Sequence, residues 1–127
     1  MGKEGGVLYA DTPWSLGASG LVRLARVGQV STKDELMAEV ARALSFPEPY
    51  GRNWDAFEEM LNRLEWLPEA SVIVTHDEVP GLSESDLRIY VSILRWAHAN
   101  WDSSQDRTFV AVFPSSARGL IDSLSAT

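Results

Sequence analysis

The chain has 127 residues, 45% of them apolar, no cysteine and a formal charge of −7. That is the length of one domain with enough apolar material for an unaided core, and the missing cysteines exclude a disulfide scaffold, a thiol nucleophile and cysteine-ligated metal. With 18 acids against 11 bases, the chain lacks the basic footprint that nucleic acid requires and favours basic partners. No apolar run approaches the roughly 20 residues that span a bilayer. Residues 1–20 lack the basic-then-apolar order of a secretory signal. A cytoplasmic protein without a membrane partner is expected.

Residues 1–20 are rich in glycine and small residues, with Val7-Leu8-Tyr9 and Pro13-Trp14 as apolar anchors. They read as a loosely ordered arm before a domain over 21–127. Leu21 to Val27 alternates in the β manner and predicts a strand. Thr32-Lys33-Asp34-Glu35 is a capping box, with a hydroxyl at the cap and a carboxylate three residues on. Leu36, Val40 and Leu44 recur at helical spacing, which predicts a helix over Lys33 to about Leu44.

A turn follows, punctuated by Pro47, Pro49 and Gly51. Asn53 is a fitting N-cap for a second helix to about Leu64. Residues three and four apart share a helix face. Asp55, Glu58, Glu59 and Asn62 therefore fall on one side of it, and Ala56, Phe57, Met60, Leu61 and Leu64 on the other. Ser71 to Thr75 is a short β-branched run, expected as a strand buried on both faces. His76-Asp77-Glu78 reads as a loop leaving the sheet. Ser83-Glu84-Ser85-Asp86 caps a long helix to about Asn100, and Thr108 to Phe113 is the third strand. Ala117 to Leu124 is expected as a short last helix. Strand, helix, helix, strand, helix, strand is an alternation that implies a parallel sheet with right-handed crossovers.

The chemistry on offer is sparse. Asp55 and Glu59, one turn apart, have the types and rough spacing of a glycosidase acid and base. Catalytic acids, however, usually face each other across a cleft from separate elements. His76, Asp77 and Glu78 are adjacent, so their side chains diverge from any common metal. No Gly-x-Ser-x-Gly elbow, Gly-x-Gly-x-x-Gly or P-loop occurs. No cofactor is expected. Trp66 and Trp101 read as core residues, and Trp54 and Trp96 as candidate interface anchors. What stands out is one organised surface: a turn with Tyr50, a capped helix start with Trp54, and a ridge of three acids. Such a ridge suits a basic, phosphate-recognising cleft, with the carboxylates standing in for phosphates.

The motif Pro47-Glu48-x-Tyr50-Gly51-x-Asn53-x-Asp55-Ala56 resembles the hallmark of the barstar family of ribonuclease inhibitors. The element order from about Leu21 to Phe113 is similar too. The resemblance implies an α/β fold with a three-stranded parallel sheet packed by helices. It implies a cytoplasmic protein, monomeric when free and not an enzyme, that blocks a secreted guanyl-preferring microbial ribonuclease. The loop and the helix after it would plug the active site, an acid occupying a phosphate position among arginines and a histidine. Carried over by position, Asn53 and Asp55 match the family's contact positions, and Glu59 stands where its key aspartate stands. Tyr50, Trp54 and Glu58 complete the expected partner-binding set. Pro49, Trp54, Glu58 and the longer acid Glu59 depart from the family pattern. On the long helix Trp96 falls about where the family's prototype has a glutamate. These departures imply a target other than barnase. Two alternatives stand beside this reading: an acidic module for another basic partner, and a small hydrolase using Asp55 and Glu59.

Overall fold

The computed structural model describes residues 6–10, 22–47, 53–102 and 107–125. In chain order its elements are β1 (Val7–Tyr9), β2 (Val22–Val27), α1 (Lys33–Ala43), α2 (Trp54–Arg63), β3 (Ser71–His76), α3 (Glu84–Asp102), β4 (Thr108–Phe113) and α4 (Arg118–Ser125). A single 3₁₀ turn, Ser115–Ala117, leads into α4. The strands form one sheet in the order β1-β4-β3-β2, every pair parallel. The expected α/β class holds, with four strands where three were expected.

The fourth strand comes from the segment expected as an arm. Val7, Leu8 and Tyr9 pair with Ala111, Val112 and Phe113. Three residues are too few for an alternating pattern to register, and their partner lies at the far end of the chain. What holds them is the ladder: Ala111 N–H donates to Gly6 O at 2.7 Å and Ala10 N–H to Phe113 O at 3.0 Å.

α1 and α3 begin where side chains accept the orphan amides of the first turn. Thr32 Oγ1 accepts from Glu35 N–H at 3.1 Å, and Glu35 Oε1 accepts in return from Ser31 N–H at 2.7 Å. Ser83 Oγ accepts from Asp86 N–H at 3.1 Å. Register then builds the core. Val27 lies opposite His76, Val74 opposite Ala111, and Ala111 opposite Val7. Side chains alternate across a strand, so this row forms one face of the sheet. With Val72, Phe109 and Phe113 it joins Leu36, Val40, Phe57, Leu61, Tyr90, Leu94 and Ile121 in a single buried cluster. β3 is buried on both sides, as its β-branched run implies; Ile73 and Thr75 are covered as well as Val72 and Val74.

His76 corrects the sequence reading. It is the last residue of β3, not the start of a loop, and it is fully enclosed. Nδ1 lies 2.8 Å from Val112 O, and Nε2 lies 2.6 Å from Tyr90 Oη. A carbonyl only accepts, so Nδ1–H is the donor and Nε2 accepts from the tyrosine hydroxyl. The ring stacks on Phe113 at 4.1 Å between centroids. Burial lowers its pKa to about 4 and pushes that of Tyr90 well above the ordinary tyrosine value.

Candidate protein-interaction site

The α2 helix is fixed at both ends. At its start Asn53 is the N-cap, Oδ1 accepting from Ala56 N–H at 2.8 Å. Asp55 in the first turn adds negative charge where the helix dipole favours it. Trp54 Nε1–H donates to Asp86 Oδ1 on α3 at 3.3 Å. At its end Leu64 adopts a left-handed conformation, φ 45°, and closes the helix with a bond to Met60 O. Arg107 Nη2 donates to Arg63 O at 2.9 Å and Leu64 O at 3.2 Å, so a cation caps the negative end of the dipole. Trp101 Nε1–H donates to Leu61 O at 3.0 Å, and the Arg107 guanidinium lies 3.7 Å from the Trp101 ring centroid.

This clamping decides which side chains face outward. Phe57 and Leu61 are fully buried. Phe57 packs against Phe46, which follows α1, at 6.1 Å between centroids, and against Tyr90 of α3 at 6.1 Å. Asp55 and Glu59 are exposed, and Glu58 is half-buried on the flank between them and the core. Asn62, one turn after Glu58, has a buried Oδ1 without a hydrogen-bond partner. The three acids thus form a continuous ridge, as their spacing implies. Glu59 is paired with Arg63, one turn on, at 3.1 Å, with more than half of each side chain in solvent. An exposed pair of this kind is worth only about 0.3–0.5 kcal/mol, so it leaves Glu59 available to a stronger cation.

Trp54 is placed differently from the acids. Its ring is half-buried, edge-on to Phe57 at 5.8 Å and tilted against Tyr90 at 6.4 Å, with Lys33 Nζ 5.9 Å from its centroid. Only its outer edge is open to a partner. Trp54, Phe57 and Leu61 stand at i, i+3 and i+7, so the helical spacing itself carried this signal. Tyr50 lies outside the described residues, with the rest of 48–52. Sequence reading passed over Arg63 and Arg107 and took Asp86 only as part of a capping signature. The Glu59–Arg63 spacing is legible as an i, i+4 pair. Asp86 and Arg107 act across 32 and 44 residues of chain, and nothing local announces them.

As an active site the ridge is poor. Asp55 and Glu59 face solvent from one helix, and a groove lined by Gln29, Glu35, Glu39 and Arg42 includes neither. Catalytic carboxylates need a water-poor enclosure to perturb them. Among the described residues, no three His, Asp or Glu side chains group as a metal site would, and no helix is long and apolar enough to cross a membrane.

Against protein-family models, the one described as Barstar (barnase inhibitor) matches residues 21–114. Comparison with curated proteins and with solved structures gave no match.

Proposed function

The chain belongs to the barstar family of barnase inhibitors, and from that premise we propose that it inhibits a secreted, guanyl-preferring microbial ribonuclease by plugging its active site. The acid face of α2 and the loop before it make the plug. One observation carries this reading: three carboxylates, Asp55, Glu58 and Glu59, stand in a row on a helix held at both ends. Holding the row rigid before contact lowers the entropy lost on binding. Carboxylates presented this way imitate substrate phosphates before the cationic groups of a nuclease cleft. Glu59 is the central mimic. It exchanges Arg63 for the enzyme's arginines, while Asp55 and Glu58 meet neighbouring cations. Asn53, Tyr50 and the open edge of Trp54 form the surround. The protein acts in the cytoplasm as a free monomer, with no cofactor.

Titration against a panel of guanyl-preferring ribonucleases, barnase among them, tests the reading. Removing one partner of a buried charge pair at an interface costs about 2–5 kcal/mol. Glu59→Ala should therefore raise the inhibition constant roughly thirtyfold or more. An unchanged constant would remove Glu59 from its role. Tight binding without inhibition would point to a basic partner engaged elsewhere than its active site.

A further inference from the structure

Trp96 is the most exposed large apolar side chain among the described residues, at 60%. Three other aromatic rings each carry a cation of this chain: Trp54 has Lys33, Trp101 has Arg107 and Tyr9 has Arg118. Among the described residues no cation lies over Trp96.

Its position follows from the helix geometry. α2 and α3 lie side by side and run the same way, since Trp54 at the start of α2 bonds Asp86 near the start of α3, and Leu61 meets Trp101 near both ends. The side of α3 against α2 carries Asp86, Tyr90, Ala97 and Trp101. The side carrying Arg88 faces α4, where Arg88 Nη1 donates to Leu124 O at 2.6 Å. Successive residues turn by about 100°. Ile89 and Trp96, seven apart, therefore share the outward row between those two sides. Ile89 is 39% exposed. Ile93 lies beside them on the margin toward α2 and is buried. On α2 Phe57 is the inward corner, touching both Phe46 and Tyr90. Trp54, which reaches Asp86 of α3, lies between Phe57 and Glu58 around the helix, so the Glu58 flank is the one toward α3. The outward row of α3 and the acid ridge of α2 thus reach solvent from neighbouring helices, and packed helix axes lie about 8–10 Å apart.

We propose that Trp96 is a second anchor for the same ribonuclease, its indole face receiving an arginine or lysine from the rim of the basic cleft that Glu59 enters. The proposal rests on the reading of α2 given above. An acidic protein paired with a basic enzyme brings cations to this surface, and a desolvated cation over an indole is stabilised by the ring's negative face. Tryptophan is also the residue most enriched among interface anchors. Trp54, largely committed to the fold, leaves this work to Trp96.

The experiment compares wild type, Trp96→Ala, Trp96→Phe and Glu59→Ala for association and dissociation rates with the ribonuclease panel, with oxidative footprinting of Trp96 in the free and bound wild type. Trp96→Ala should keep the fold, because the side chain is mostly in solvent. It should weaken binding about tenfold or more, chiefly by faster dissociation, with Trp96→Phe losing less. Trp96 should oxidise several-fold more slowly in the complex. If Glu59→Ala weakens binding while Trp96→Ala dissociates like wild type and Trp96 stays equally oxidisable, this proposal is overturned and the reading of α2 stands. If Trp96→Ala weakens binding and Glu59→Ala does not, Trp96 keeps its role and the acid assignment falls. A wild type that binds none of the ribonucleases removes both.

Discussion

At the scale of single residues, His76 shows how a polar group becomes part of a core. Its two nitrogens are satisfied by Val112 O and the Tyr90 hydroxyl, and its ring lies flat on Phe113. Burial holds its pKa at about 4, against about 6.5 in an unfolded chain. Between those values the unfolded state binds a proton that the folded state refuses. The stabilisation is therefore complete above pH 6.5 and is lost as pH falls toward 4. At 1.36 kcal/mol per pKa unit it amounts to about 3 kcal/mol. Urea midpoints should fall across that window, and His76→Gln should fall less steeply below pH 6.5. Equal slopes would mean that another group governs the acid limb. The sequence placed His76 at a strand end but in a loop, because the bonds that bury it come from 14 and 36 residues away. Glu59 was legible for the opposite reason: its setting is its own helix, and spacing alone puts it beside Asp55, Glu58 and Arg63.

At the scale of elements, local signals were reliable at the starts of α1, α2 and α3. Thr32, Asn53 and Ser83 each cap the helix that their side-chain chemistry announces. β1 escaped notice because strand identity there depends on a distant partner rather than on pattern. Gly6 is the residue that lets β1 dock. Its φ is +97°, a region that residues with a Cβ avoid, and a Cβ there would stand 2.5 Å from His98 Cβ. His98 has little room to retreat, since its Nδ1 is held 2.8 Å from Phe109 O. Gly6→Ala should thus destabilise the protein by about 1–3 kcal/mol. Hydrogen exchange at the Ala111 amide, which bonds Gly6 O, should quicken more than exchange on the β2–β3 ladder. Uniform exchange along all four strands would mean that β1 does not loosen on its own.

At the scale of the whole molecule, the charge of −7 and the acid row on α2 act together. In the proposed complex the field would draw the basic enzyme in and the ridge would orient it. Screening sets in at about 8 Å in physiological salt. Association with the ribonuclease should therefore slow steeply from 0.05 to 0.5 M salt, while dissociation changes little. A flat association rate would show that encounter is governed by shape alone. The short strand β1 has a further consequence, concerning other copies of the chain. β4 reads Thr-Phe-Val-Ala-Val-Phe, six residues without charge or proline, the composition that stacks into cross-β aggregates when its edge is bare. The opposite border of the sheet, β2, carries Arg23 and Arg26, which discourage strand addition. β4 has no such charges and is shielded instead by Val7–Tyr9, a border too short to template much growth. Where β1 is displaced, as Gly6→Ala is designed to do, the hidden edge becomes a site for self-association, and Val7–Tyr9 are the residues that stand between β4 and another copy of the chain.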